Sequence, residues 1–494
     1  MAEQRVRRVV IAGGGTAGWS TAAALGKVLG ELLDITLVES EEIGIIGVGE
    51  STVPTTRAFH HLLGIDEREF LRDNQGSFKL GISFENWARI GDRYIHSFGT
   101  LGKGTWVADF HHIWMEAAAQ GFGGDLGDYC FELKAAEAHR FATSEGAQIS
   151  HAYHLDAGLY ARFLRRFSEG FGVKRVEGKI ARVEQDGESG FLTALVLESG
   201  ERIEGDLFID CTGFRALLAG QALGVGFEDW LHWLPNDSAF PIQTTTTAPI
   251  PPYTRAVAHE AGWLWAIPLQ RRMGCGLVFS SNFMSDDQAH ERLHSLIDGE
   301  VLLEPRPIRF RAGRRLGVWN KNCIAIGLAG GFVEPLESTT IHLIQVGITR
   351  LVQMFPFNGC DEALIRRFNE RARDEIEHVR DFIVLHYHQT ERTDSPFWDH
   401  VRTMKIPDTL AERIALFREN AHAYQAQDQL FRIDSWVQVM LGQRLEPRGH
   451  HLVGRLMPPA QLREALGDLK SNIAAAVAQL PPHEQFVTAY AGAA

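Results

Sequence analysis

Gly13-Gly14-Gly15-Thr16-Ala17-Gly18 is the feature that most narrows what this chain can fold into. It satisfies G-x-G-x-x-G, a pattern that is weak on its own because glycine turns are common. Its setting carries the information. Val6 to Ala12 (VRRVVIA) reads as a buried strand, Trp19 to Gly30 as a helix rich in Ala and Leu, and Ile35 to Glu39 (ITLVE) as a second strand. Together they make a parallel βαβ crossover. Gly13 permits the tight turn, Gly15 lets the backbone approach a pyrophosphate, and Gly18 allows close helix–strand packing. Thr16 and Ala17 open the helix, whose free N–H groups and partial positive charge suit phosphate. Glu39, 21 residues after Gly18, would accept hydrogen bonds from a ribose hydroxyl, and its charge disfavours a 2′-phosphate. A purely structural glycine turn is the plain alternative, and the complete unit weighs against it.

The fingerprint does not separate FAD from NAD. Asp210-Cys211-Thr212-Gly213 closes a strand after an intervening layer of three strands, and Asn322 to Gly327 leads into a third glycine-rich approach, Gly-Leu-Ala-Gly-Gly. Glycine contacts spread this widely suit an extended dinucleotide bearing an isoalloxazine ring, hence FAD. The predicted fold class is α/β, a Rossmann-like FAD-binding domain resembling the GR2-type flavin monooxygenases.

The rest of the chain is read as follows. Val173–Glu184 and Phe191–Glu198 are strands paired through a polar turn, and Arg202–Ile209 is a third. Residues 1–390 form the core, with a substrate-facing mixed sheet interleaved at about 75–160 and 225–320. After residue 360 the pattern is mostly helical, with helices at 361–388, 408–423 and 460–479 divided by breaks at Pro396 and Pro407, and a mainly helical region, 391–494, closes the substrate site.

Charge and cysteines exclude several functions. The chain has 49 Lys and Arg against 62 Asp and Glu, a formal charge of −13, which disfavours a nucleic-acid partner. Five cysteines, with no Cys-x-x-Cys, make neither a disulfide framework nor a zinc pattern. The histidine pairs at 60–61, 111–112 and 450–451 are adjacent in sequence, so their side chains are expected to diverge; no metal is assigned. No signal segment or membrane span is read, and the expected location is cytoplasmic.

Gly262-Trp263-Leu264-Trp265-Ala266-Ile267-Pro268 then carries a resemblance, because it satisfies W-x-W-x-I-P in full. The chain resembles the flavin-dependent tryptophan halogenases. Gly47-Val48-Gly49-Glu50-Ser51-Thr52-Val53-Pro54 is similar to the family's strap over the flavin, and Phe332 to Ile341 (FVEPLESTTI) to its catalytic-glutamate and halide-binding stretch. Lys79, within Gly76-Ser77-Phe78-Lys79-Leu80-Gly81, stands at the place of its catalytic lysine. The likeness runs to about residue 390 and is weaker beyond.

The resemblance implies FAD, used as FADH2 from a separate NAD(P)H flavin reductase, and a bromide or chloride ion. It implies cofactor contacts at Gly49, Val183, Asp210, Leu328 and Ile341 besides the glycine turn and Glu39. Trp263, Trp265, Ile267 and Pro268 would shield the flavin from organic substrate. Hypohalous acid made at the flavin would be held at Lys79, as a covalent haloamine or by hydrogen bonding. Phe78, Leu80, Ile82 and Phe84 alternate, so Lys79 points to the other face of a strand; alone it reads as a solvated lysine, and in a dry tunnel burial would favour its neutral amine. Glu337 would polarise the hypohalous acid or take the ring proton, its bland reading being a helix-entry carboxylate. N–H groups at Thr339 and Thr340 would hold the halide. Tryptophan-specific members usually have glycine where Thr340 stands, which changes the width of the pocket there.

His96 and Phe98 resemble the family's indole-stacking pair, with Phe431 on a second wall (Leu430 to Trp436). The paired tyrosines and following acid that grip an amino-acid backbone are missing, and Ala423-Tyr424-Gln425 stands there instead. The expected reaction is therefore bromination or chlorination of free indole or a related electron-rich aromatic. Alternatives are a tryptophan halogenase, a flavin-dependent aromatic hydroxylase, a catalytically silent flavoprotein, and a halogenase acting on a carrier-tethered ring. The reading leaves room for a homodimer.

Overall fold

The expected crossover is present as strand β1 (Arg8–Ala12), helix α1 (Thr16–Leu29) and strand β2 (Asp34–Glu39). In the computed structural model, which describes residues 5–42, 49–143, 149–246 and 249–492, β1 and β2 run parallel with Ile11 opposite Leu37. Val9 to Ala12 are all buried. Both faces of β1 are covered from Val9 onward, which is why Val9 to Ala12 are apolar at every position rather than at alternate ones. Leu207–Asp210 lies parallel on its other side, followed by Cys323–Ala325. The result is a six-stranded sheet flanked by Lys174–Glu177 at one edge and Trp319–Asn320 at the other.

Two strand assignments need correction. The stretch 173–184 is not one strand. Lys174–Glu177 extends the parallel sheet beside β2, while Ile180–Gln185 joins a three-stranded antiparallel sheet with Leu192–Leu197 and Arg202–Glu204. The break falls at Gly178, whose N–H donates to the Glu39 carbonyl at 2.8 Å. A Cβ there would approach Leu197 Cδ1 to 2.8 Å. Arg202–Ile209 likewise divides before Leu207. Asp206 turns outward there to accept from the backbone N–H groups of Arg7 and Arg8.

Two compact units divide the chain: residues 1–76, 155–234 and 310–377, and residues 77–154, 235–309 and 378–494. The first contains the parallel sheet. The second contains a mixed sheet in which Gly262–Pro268 is a central strand between Thr254–His259 and Met273–Phe279. One step, Thr254–His259 on Gly81–Glu85, is parallel; Gly81–Glu85 then pairs antiparallel with Arg93–Ser97.

The expected helices occur as Glu362–His388, Asp408–Asn420 and Pro459–Ala478. Pro396–Thr403, Ile433–Gly442 and His483–Ala491 are additional. Pro396 starts a helix rather than breaking one, because it occupies the first turn, where its missing N–H costs nothing, and the Ser395 side chain caps it. The five cysteines are free thiols. Among the described residues no helix is long and apolar enough to cross a membrane.

Candidate active site

In the first unit the glycine turn is shaped by close contacts. Gly13 has φ +104°, and a Cβ on it would sit 2.4 Å from the Cys211 carbonyl oxygen. A Cβ on Gly18 would sit 1.8 Å from the Gly13 carbonyl oxygen. Nothing lies within 4 Å of the corresponding position on Gly15, which caps α1, so the backbone is open where a pyrophosphate would approach. The Glu39 carboxylate lies over Gly14, 1.5 Å from where a Cβ would be. It accepts from Trp19 Nε1 at 3.2 Å and from Arg175 Nε at 2.6 Å. Neither donor was evident from the motif.

The second and third glycine-rich approaches converge on this turn. Cys211 N–H donates to the Ala12 carbonyl at 2.8 Å, and Ile326 N–H to the Asp210 carbonyl at 3.0 Å. A Cβ on Gly327 would lie 3.0 Å from that of Ala17. The buried Asp210 carboxylate accepts from Thr212 N and Oγ1 and from the backbone N–H groups of Leu218 and Ala219, at 2.6–3.0 Å. It thereby organises the loop after its strand. Val183 is half-buried in the antiparallel sheet opposite Leu195. Ile341 is buried on the helix Thr339–Gln353.

Glu337, only 1% exposed, ends a short 3-10 turn, Pro335–Glu337. Ser338 follows at φ +59°, a left-handed conformation uncommon for a non-glycine residue. Its hydroxyl lies 3.1 Å from that of Ser51 in the strap strand Gly49–Ser51. Gly47 and Val48 of that strap lie outside the described residues. Thr339 begins the helix fully buried, and its Oγ1 has no hydrogen-bond partner among the described residues. Thr340 and Leu328 line one cleft, with Leu343, Arg315 and Arg350. Glu50, beside Ser51, is pushed up to about 7 by burial.

The second unit holds Lys79 and the aromatic residues. Lys79 is fully buried, so the solvated reading does not hold. The alternating run divides into Ser77–Lys79 and Gly81–Glu85, which belong to different sheets, and both faces are covered. Lys79 Nζ lies 5.1 Å over the Phe98 ring, within cation–π range. Phe98 is positioned by its N–H, which donates to the Leu80 carbonyl at 2.8 Å.

His154 is a neighbour that sequence reasoning missed. It pairs across the strands with Ser77. Its Nδ1 is 3.0 Å from Ser77 Oγ and its Nε2 is 3.0 Å from Thr254 Oγ1, while Ser77 Oγ donates to the Pro268 carbonyl at 2.7 Å. Burial, then the charge of Lys79, holds the imidazole well below its usual range and therefore neutral.

His96, Phe98 and Phe431 come together as expected. His96 is 6.5 Å from Phe98 and 6.3 Å from Phe431 between ring centroids. Phe382 completes the group, stacked on Phe431 at 3.7 Å and edge-on to Trp436 at 4.8 Å. From the sequence, residue 382 falls only within a helix at 361–388. Tyr424 is covered by the Arg413 guanidinium at 3.9 Å, which also lies 4.4 Å over Trp436.

Trp263 is buried, and its ring is 6.2 Å from that of Trp265. Trp265 is accommodated by Gly276 on the adjacent strand, where a Cβ would meet its ring at 2.1 Å. Pro268 and Ile267 are buried at the end of the same strand. One expectation fails outright. His111 and His112 do not diverge: their rings are 4.1 Å apart, and both are buried.

A glycine turn, an acidic end to the second strand and a later glycine-rich approach on one parallel sheet define an FAD-type oxidoreductase fold. The tryptophan halogenase family model matches residues 8–459. The tryptophan 6-halogenase SttH of Streptomyces toxytricini is 38% identical over 437 residues, 82% of this chain and 83% of the relative. The solved structure of Xcc4156, a flavin-dependent halogenase from Xanthomonas campestris, is 53% identical, with 99% of each chain covered and a TM-score of 0.97. That of BrvH, a flavin-dependent halogenase from Brevundimonas sp. BAL3, is 43% identical, with 98% of this chain and 99% of that one covered and a TM-score of 0.94. The chain belongs to the tryptophan halogenase family and is an enzyme of the flavin-dependent halogenase class.

Proposed function

We propose that this enzyme brominates or chlorinates free indole or a related electron-rich aromatic, using FADH2 from a separate flavin reductase. The observation that carries the reading is the fully buried Lys79 side chain, its Nζ over the Phe98 ring, with His96, Phe431 and Phe382 grouped around Phe98. A lysine is kept out of water at this cost only where something repays it. The reduced flavin, when bound, would react with dioxygen, and dioxygen would supply the two-electron oxidising equivalent that turns halide into hypohalous acid. The open backbone at Gly15 and the crowded Gly13 and Gly18 fit a dinucleotide pyrophosphate. The orphaned Thr339 hydroxyl at the start of a 15-residue helix fits a halide.

Lys79 holds the hypohalous acid for the ring. The O–X bond of the hypohalous acid breaks as the ring carbon takes the halogen; the ring then loses its proton to Glu337, and the hydroxide left behind takes up a proton and leaves as water. His154, kept neutral, adds no second charge beside Lys79. The preference for indole over tryptophan is supported by Tyr424, whose ring is already covered by Arg413 and is not offered to an amino-acid tail.

The direct test is mass spectrometry after incubation with FAD, a flavin reductase, NADH, oxygen, bromide or chloride, and either indole or tryptophan. Halogenated indole is expected, with tryptophan converted more slowly. Hydroxylated indole without halogen would sink the reading. Glu337→Gln keeps the side-chain volume and removes the base, and is expected to lower kcat by about 10²–10⁴-fold with flavin binding unchanged. Gly13→Ala is expected to weaken FAD retention by about tenfold or more, since the strain of a side chain at a left-handed position is roughly 1–3 kcal/mol; flavin absorbance after gel filtration reads this out. Wild-type retention would remove the turn from the cofactor site.

A further inference from the structure

A second cluster of ligating side chains lies apart from these residues within the second unit. Helix Asp286–Leu296 is fixed at its start by a Ser285–Gln288 capping box, with Asp286 and Asp287 in its first turn. It buries Ala289 and Leu293. His290 and His294, four residues apart, therefore share the outer face, and their ring centroids are 4.5 Å apart. The His290 ring also rests edge-on against Phe240, at 6.1 Å, in the strand Ser238–Thr244.

Glu304 comes from a different element. It directly follows Val301–Leu303, a strand that pairs with the same Ser238–Thr244 strand. Helix and strand are thus both registered on one framework, and the imidazoles and the carboxylate meet over it. One ligand atom from each of His290, His294 and Glu304 lies within 4.8 Å of the others. All three residues are exposed.

We infer that His290, His294 and Glu304 form a binding site for a divalent transition-metal ion of the zinc, nickel or copper class. Two imidazoles and one carboxylate are a ligand set such ions favour. Four-coordinate zinc takes nitrogen and oxygen at about 2.0–2.2 Å, so its ligand atoms stand roughly 3.4 Å apart. Closing from at most 4.8 Å shortens a separation by no more than about 1.4 Å, which rotation of exposed side chains can supply. Neighbouring cationic side chains are engaged elsewhere: Arg292 pairs with Glu260 and Arg309 with Asp286. No hydrogen bond or ion pair engages Glu304, His290 or His294 among the described residues. The ion would tie the helix to the strand that follows it and leave a fourth position for water. Magnesium, which demands near-octahedral oxygen ligands, is excluded by the same set.

The test uses the full-length, tag-free protein, stripped by chelator and desalted, then titrated calorimetrically with zinc and, separately, with magnesium. One zinc per chain is expected, and no magnesium. His290→Ala and His294→Ala should each weaken zinc binding by about tenfold or more, and Glu304→Gln by less. Zinc should raise the Tm of the wild type and not that of the His290→Ala/His294→Ala double variant. All three side chains are exposed, so the variants keep their zinc-free Tm and far-UV dichroism. Unchanged zinc affinity in the double variant, or no binding up to millimolar zinc, overturns the assignment. Halogenation is not the readout, so failure here is distinguishable from failure of the proposed reaction.

Discussion

Replacing Lys79 by alanine is expected to abolish halide incorporation while leaving oxidation of reduced flavin intact. The expected loss is at least about 10³-fold, the size seen when a preorganised group that acts on the reacting species is removed from a dry site. Lys79 is fully buried, with Nζ 5.1 Å over Phe98. Its charge helps keep His154 neutral. Alanine also leaves a cavity, so the paired variant is Lys79→Met, which keeps most of the stem and removes the ammonium. Both variants should consume NADH and oxygen in the coupled assay at the wild-type rate and release no halogenated indole. Tm and far-UV dichroism read out whether Lys79→Met stays folded. Halogenation at the wild-type rate by Lys79→Met would remove Lys79 from the reaction. A parallel loss of flavin oxidation would instead make it part of the flavin-binding framework.

What could be read from the sequence was what is local or repeats with a short period. The βαβ unit was legible because each glycine answers to a contact a few residues away, or to the next strand of one crossover. Lys79 and the Trp263–Trp265 pair were legible by resemblance, but their surroundings were not. The run Phe78 to Phe84 alternates as one strand would, yet it serves two sheets and is covered on both faces, so alternation misjudged the exposure of Lys79. His154 sits beside Lys79 through a pairing across 77 residues of chain. Phe382 reaches Phe431 from another helix, and Gly276 makes room for Trp265 from the adjacent strand. Such partners are chosen by sheet register and helix docking, which no local pattern encodes. Gly178 failed for the opposite reason: one glycine in an otherwise good strand is a weak signal until the neighbouring Leu197 and Glu39 are in place.

Acidification is expected to destabilise the protein well above the pH at which its carboxylates titrate, because five buried histidines besides His154 are held neutral. Burial pushes His60, His112 and His378 down to about 3, and His259 and His483 down to about 4. His112 is lowered further by His111, His451, His450 and His422 around it, and His378 by Arg413. An unfolded histidine titrates near 6.5, so the unfolded chain binds more protons and stability falls with falling pH. This contribution is fully present above about pH 6.5 and drains away as pH drops toward the folded values. At pH 5 the solution is about 1.5 units below the unfolded value of each of the five and still above their folded values, a cost of about 2 kcal/mol apiece and about 10 kcal/mol together. Glu50, raised to about 7 by burial, works the other way. It is easier to keep folded once protonated and returns roughly 2–3 kcal/mol over the same interval. The net loss, about 7 kcal/mol, rivals the 5–15 kcal/mol by which folded proteins are stable. Differential scanning calorimetry from pH 7.5 to 5.0 should show Tm falling by about 10 °C or more. His112→Asn keeps an acceptor for the His451 N–H, which His112 Nδ1 receives at 3.2 Å, but cannot charge; it should flatten that slope. A Tm that is level or rising toward pH 5 would mean that these imidazoles are solvated in the native protein.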